Sequence, residues 1–401
     1  MFDLNKFIGT FVTKRSKSMF LDDIENNKEE LKEKIEGKTV LVIGGAGSIG
    51  TSFIKAVLPF KPATLVVVDT NENALAELTR DLRSTKGMYV PEDYIPYPMD
   101  FASPVFEKMF RSRGGFDIVG NFSAHKHVRS EKDIYSVEAL IKNNVLHAKL
   151  LLDFLSEFPP EEYFCVSTDK AANPVNIMGA SKRIMEDVIF AYSDKFPVKT
   201  ARFANVAFSN GSLPAGFLAR FQKLQPISAP SDVKRYFVSP EESGQICMLS
   251  CMLGNNREIF FPRLEEEQMM TFDKIATAFL KENGFEVLEC DNDEEAIEMA
   301  EDLRNGSNKY PVHYSDSNTS GEKAYEEFYT DEETADLNRL KALGIITGKE
   351  IPNKERVRVL FEKLNAAFDS ETSKEEIVVI MKEYLPNFEH IETGKSLDSK
   401  M

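Results

Sequence analysis

Thr168, Asp169 and Lys170 place a hydroxyl, a carboxyl and an amine in three consecutive residues. A carboxyl and an amine side by side can give and take protons on one small substrate. On a solvated loop the same two residues would be an ordinary ion pair, so their surroundings decide which they are. A second run able to do chemistry is VIGGAGSIG, residues 42–50, in which Gly44, Gly47 and Gly50 follow an apolar stretch and precede a helical one. Glycines there let backbone approach a pyrophosphate, while Ser48 and Ile49 open a helix whose positive end faces the negative charge. Asp69 lies at the end of the next apolar run, where a carboxylate accepts hydrogen bonds from both ribose hydroxyls and repels a 2′-phosphate. NAD is therefore expected in preference to NADP, with Arg80 and Arg83 close enough in sequence to weaken the preference. Asp100, after a third apolar run, is a candidate adenine contact; a solvated loop aspartate would look the same.

The elements that must position these residues alternate. Strand patterns at 38–43, 64–68, 94–99, 116–122, 163–168 and 200–206 are interleaved with helical patterns at 72–84, 139–157 and 178–196. Such alternation predicts an α/β fold: a Rossmann-type doubly wound parallel sheet with helices on both faces. Both chemical runs then fall where a strand hands over to a helix, the place at which such sheets bind ligands. Residues 1–36 read as a helical arm and 37–207 as the NAD-binding domain, with 233–264 returning to it through a strand at 258–262. Residues 208–232 and 265–350 are expected to form a smaller lobe, and 351–401 a helical extension with helices at 354–368 and 374–384.

Composition narrows the function classes. A net charge of -16 repels a nucleic-acid backbone, so no nucleic-acid partner is expected. Cys165, Cys247, Cys251 and Cys290 have neither metal-ligand spacing nor disulfide density, which suits a reducing cytoplasm. No metal is expected; His125 and His127 are close together but lack further ligands at suitable spacing. No apolar run is long enough to span a bilayer, and no signal peptide is recognisable. Leu4, Phe7, Ile8, Phe11 and Val12 share one helical face and are followed by Lys14, Arg15 and Lys17. That arm either docks on protein or touches a membrane surface peripherally.

The run FCVSTDKAANPVNIMGASK, residues 164–182, resembles the extended short-chain dehydrogenase/reductase superfamily, to which the GxxGxxG spacing also points. Within it, the run is similar to the nucleotide-sugar 4,6-dehydratases of the polysaccharide-biosynthesis (CapD-like) family, especially UDP-N-acetylglucosamine 4,6-dehydratases. The resemblance covers about 37–262 and, more loosely, continues to 330. It implies that Thr168 bonds the reacting sugar hydroxyl, that Asp169 is the acid and Lys170 the base, and that Lys182 grips the nicotinamide ribose with support from Asn144. Lys170 must be neutral to act, and Lys182 together with burial is expected to lower its pKa. Met178 stands where the superfamily usually has a proton-accepting tyrosine; a thioether cannot accept that proton, which must leave through Thr168, Asp169 or water.

The same resemblance implies substrate contacts. SAHKHV at 123–128 places Lys126 and His127 beside the nicotinamide and sugar. RFANV at 202–206 makes Asn205 a diphosphate contact, KRYF at 234–237 gives Arg235 to phosphate, and SGEK at 320–323 puts Glu322 near the nucleotide. Asn210 stands where relatives often carry an arginine. The implied activity is NAD-dependent dehydration of a UDP-sugar, UDP-N-acetylglucosamine above all, for surface glycan synthesis. A homo-oligomer is expected. The alternatives are a nucleotide-sugar epimerase and a non-catalytic NAD-binding scaffold or sensor.

Overall fold

The computed structural model describes residues 2–127, 131–316 and 326–391. Its centre is a nine-stranded sheet. The strands are β1 (Thr39–Ile43), β2 (Thr64–Asp69), β3 (Asp93–Pro98), β4 (Ile118–Asn121), β5 (Glu162–Val166), β6 (Val198–Ala201), β7 (Glu258–Pro262), β8 (Thr334–Asp336) and β9 (Leu343–Thr347). They lie in the order 8-9-7-6-5-4-1-2-3, with every pair from β3 through β7 parallel and β8 and β9 antiparallel. The first six strands in the order 3-2-1-4-5-6 make the Rossmann arrangement, and the switch in winding lies between β1 and β4. Helices cover both faces, so Val40 through Ile43 are all buried with no polar alternation.

A second, smaller apolar cluster joins Phe217, Ile227, Ile275, Phe279, Tyr310 and Val312. It is built on a three-stranded sheet of Ile227–Pro230, Lys309–Ser315 and Glu286–Cys290. This lobe is shorter than 265–350: residues 334–347, expected in it, supply β8 and β9 of the large sheet. Ile345 and Ile346 are fully buried, and pairing along β7 covers what would otherwise be an open edge.

The described parts of both terminal segments are packed against the two cores. Leu31 and Ile35 of the helix Lys28–Ile35 join the large core, as do Leu360, Leu364, Ile377 and Met381 of the helices Lys354–Phe368 and Lys374–Tyr384. Phe7, Ile8 and Val12 are buried in the lobe cluster, with the Phe7 ring against Phe208 and Phe279. The face that sequence left open to a membrane surface is therefore largely spent on protein, and Arg15 strengthens the attachment through paired 2.8 Å bonds to the carboxylate of Glu242. Among the described residues no helix is long and apolar enough to cross a membrane.

Candidate active site

The glycine run sits at the carboxyl end of β1, and each glycine has a separate reason to be there. Gly44 takes φ +70°, and a Cβ on it would come within 2.6 Å of the Ser123 nitrogen. A Cβ on Gly50 would meet the Gly44 carbonyl at 2.4 Å, so the helix Ser48–Val57 packs on the turn only because that atom is missing. Gly47 is the N-cap and contributes no side-chain bond, which leaves the amides of the first turn turned outward, as an anion requires. Asp69, at the end of β2, accepts from Ala46 N at 3.1 Å and Asn71 N at 2.9 Å, which fixes its carboxylate beside the turn. Arg80 pairs with Glu77 and Arg83 stacks near Tyr94, so neither is engaged with Asp69. Asp100 is exposed just beyond β3 and bonds the amide of Ala102. The residues present fit a dinucleotide: a cradle that any Cβ would fill, an uncapped helix start and a ribose-height carboxylate.

The Thr168–Asp169–Lys170 run stands at the end of β5. Thr168 starts the short turn Asp169–Ala171; its hydroxyl donates to Asp169 Oδ1 at 2.7 Å and accepts from Lys170 N at 3.4 Å. Lys170 Nζ lies 3.3 and 3.2 Å from the two Asp169 oxygens. Asp169 is buried, which distinguishes this pair from a solvated surface one. The helix Ile177–Phe190 approaches the turn closely, since a Cβ on Gly179 would touch Lys170 O at 2.6 Å.

One expectation is reversed. Burial does act to lower the Lys170 pKa, but the carboxylates of Asp169 and Glu326 outweigh it, and the ammonium is held above its usual range. Lys182 has no part in this. Its Nζ donates to Val166 O at 2.9 Å, and burial lowers its own pKa. Asn144 lies in a wide helical turn, Lys142–Leu146, between the helices Ile134–Ile141 and His147–Glu157. Its side chain bonds both backbone groups of His125, at 2.9 Å each, and Ser181 Oγ at 3.1 Å. It thus holds the residue preceding Lys182 rather than the lysine itself. Met178 is buried, and its amide donates to Glu131 at 2.9 Å.

Of the substrate contacts read from sequence, Asn205 and Arg235 come together around a residue that sequence did not single out. Asn205 Nδ2 donates to Glu326 Oε1 at 2.5 Å, and Arg235 Nε lies 3.6 Å from the same oxygen. Lys126 and His127 are exposed on the loop after β4, with His127 Nε2 against Gly211. Asn210 N donates to Ser48 Oγ at 2.8 Å, tying that loop to the glycine turn. Glu322 lies outside the described residues.

Three further carboxylates escaped the sequence reading. Glu131 binds the amides of Ile177 and Met178 and so caps the helix carrying Lys182. Glu186 and Glu333 clasp Arg202, which is fully buried, with bonds of 2.7–3.0 Å. Only the arginine lay within a recognisable motif; its partners come from 16 and 131 residues away.

Comparison with known proteins accords with this geometry. Residues 40–347 match the family model described as polysaccharide biosynthesis protein. An uncharacterized membrane protein of Methanocaldococcus jannaschii is 29% identical over 364 residues, 88% of this chain and 98% of that protein. The probable polysaccharide biosynthesis protein EpsC of Bacillus subtilis is 29% identical over 58% of this chain, but the match spans only 38% of EpsC. UDP-N-acetylglucosamine 4,6-dehydratase (inverting) of Campylobacter jejuni is 27% identical over 57% of this chain and 67% of its own length. Among solved structures, Pen from Bacillus thuringiensis superposes with a TM-score of 0.63 at 19% identity, covering 82% of this chain and 98% of Pen. The NAD+ complex of Bordetella bronchiseptica WbmF gives 0.50 at 18% identity, over 63% of this chain and 81% of WbmF. With its extended short-chain dehydrogenase/reductase fold and a family match running from β1 to the last strand of the sheet, the chain belongs to the polysaccharide biosynthesis protein family.

Proposed function

We propose that the protein is an NAD-dependent UDP-N-acetylglucosamine 4,6-dehydratase, producing a UDP-4-keto-6-deoxy-N-acetylhexosamine for surface glycan synthesis. The observation that carries this reading is the Thr168–Asp169–Lys170 cluster, a buried acid bonded to both a hydroxyl and an amine. The Campylobacter relative, named a UDP-N-acetylglucosamine 4,6-dehydratase (inverting), supports the choice of substrate, whereas return of the C5 hydrogen by the lysine that removed it retains the configuration there. NAD, when bound on the glycine turn, supplies the hydride acceptor and donor. The chain's own groups handle the protons.

Thr168 accepts the proton of the sugar O4 and passes its own to Asp169 along the 2.7 Å bond already in place. This relay takes over from the phenol that Met178 replaces. Protonation of Asp169 removes one of the anions that hold Lys170 charged. The Lys170 ammonium gives its proton to water, and the free amine takes the acidified C5 hydrogen while Asp169 gives its proton to the departing C6 hydroxyl. Lys170 then returns a proton to C5 and regains one from water, so both groups finish as they began. Lys182 and Asn144 are assigned to the ribose side, Asp69 to the adenosine ribose, Asp100 to the adenine, and Lys126, His127, Asn205, Arg235 and Glu322 to the nucleotide sugar. An epimerase is less suited, because it needs a strong base at the position of Met178 and has no use for an acid beside Lys170.

Incubation with UDP-N-acetylglucosamine and mass analysis of the product tests the reading. Loss of one water is expected, and unchanged mass with altered stereochemistry would favour epimerisation. Lys170→Ala and Asp169→Asn should each cut turnover by about 10²-fold or more while the protein stays folded and NAD-loaded. Near-normal rates in either variant would remove that residue from the scheme.

A further inference from the structure

Glu326 is buried, yet it bonds to groups that an anionic ligand would need. Its Oε1 accepts from Asn205 Nδ2 at 2.5 Å and faces Arg235 Nε at 3.6 Å, while Oε2 accepts from the Tyr236 amide at 3.1 Å. An amide NH2, a guanidinium and a backbone N–H converging on two oxygens make a seat for a phosphoryl group as readily as for a carboxylate. We propose that Glu326 competes with a nucleoside diphosphate for the seat made by Asn205 and Arg235, and that binding of the diphosphate there draws a proton from solvent onto the Glu326 carboxyl wherever it is still ionised. The proposal rests on the nucleotide-sugar reading, because that reading assigns Asn205 and Arg235 to the diphosphate.

The physical reason is the charge around the seat. From the loop after β5, Asp169 and Lys170 face Glu326; from the strand Lys234–Arg235 and the residue after it come Arg235 and the Tyr236 phenol. Glu327 turns the other way, to Asn173. A diphosphate claiming Arg235 and Asn205 takes away the cation and the donor that Glu326 uses, and brings negative charge of its own. An ionised carboxylate left there would be repelled by the phosphates and by Asp169. The neutral acid keeps the Tyr236 bond through one oxygen and turns its new O–H toward a phosphate oxygen. No bond other than O–H is made, and the proton comes from water. Burial and the Asp169 charge raise the Glu326 pKa to about 8, so the carboxyl is largely neutral at pH 7 and ionised at pH 9, and proton uptake on binding grows across that interval.

Titration calorimetry of the NAD-loaded protein with UDP, at pH 7, 8 and 9, tests this. The terminal phosphate of UDP is fully ionised above its last step at about pH 6, and the uracil N3–H, which begins to titrate at about pH 9, contributes equally to the wild-type protein and to Glu326→Gln and is subtracted by comparing them. Run in two buffers of different ionisation heat, the wild-type protein should take up about half a proton at pH 8 and nearly one at pH 9. Its affinity should fall about tenfold from pH 7 to pH 9. Glu326→Gln, whose amide donates without titrating, should bind UDP with no such fall. Binding by the wild-type protein without proton uptake, or an equal pH dependence in the variant, overturns the proposal and leaves the nucleotide-sugar reading standing. Absence of UDP binding to the wild-type protein at every pH overturns both.

Discussion

Lys170 is the proposed base, and its setting makes a sharp demand. Before substrate binds, Asp169 and Glu326 hold its ammonium above the usual lysine range against the opposing effect of burial; with Glu326 neutralised by the diphosphate, Asp169 remains the carboxylate beside it. If that amine is the base, kcat at saturating substrate should rise with pH above neutrality, by at most about tenfold per unit, until the lysine is titrated. A flat profile between pH 7 and 9 would mean that Lys170 is not the base or that its deprotonation does not limit turnover; proton inventory on Lys170→Ala rescued with small amines would then decide. The cluster was legible in the sequence because Thr168, Asp169 and Lys170 are neighbours along the chain. It could not show Glu326, which reaches them across more than 150 residues, nor the sign of the Lys170 shift, which depends on that distant carboxylate. The placement of Asn144 was legible, but its partners, the His125 backbone and Ser181, were not.

The Thr168 turn is tied to one buried arginine through Glu186 and Ser167. Arg202, just after β6, bonds Glu186 on the helix that carries Lys182 and Glu333 before β8, while Glu186 also accepts from Ser167. The network joins three pieces of chain behind the Thr168 turn. Arg202→Leu should cost about 3–5 kcal/mol in denaturant unfolding, because it strands Glu186 without its main counter-charge. A cost below about 1 kcal/mol would show that the network is not what fixes the turn. Element boundaries were readable where periodicity and end signals agree: the helices Glu72–Ser84, Lys354–Phe368 and Lys374–Tyr384 and the strand Glu258–Pro262 lie where the pattern put them. The pattern failed at 334–347, where only pairing to β7 reveals that two short strands belong to the large sheet. It also ran β6 on to residue 206, whereas the strand stops at Ala201 and Asn205–Val206 pairs separately with Phe237–Val238. That break lets Arg202 turn into the core and Asn205 toward Glu326.

Across the whole molecule, the N-terminal arm links the two apolar clusters, with Phe7 in the lobe and Arg15 on the helix Pro240–Leu253, which packs in the large core. Phe7→Ala should cost about 3–5 kcal/mol of local packing and speed tryptic cleavage at Lys14 by on the order of a hundredfold. Unaltered cleavage would mean that the arm is not held by that contact. The large sheet, the arm and the buried terminal helices all serve to hold the glycine turn and the Thr168 turn side by side across the switch between β1 and β4 and the neighbouring β5. In the proposed reaction a hydrogen leaves C4 of the sugar and returns within the same molecule at C6. The most direct test is to supply UDP-N-acetylglucosamine deuterated at C4 and examine the product by NMR and mass spectrometry. A 4-keto-6-deoxy product lighter by one water and carrying the label at C6 is the expected result. A product whose C6 hydrogen comes from solvent, or one that keeps its mass and its label at C4, would contradict it.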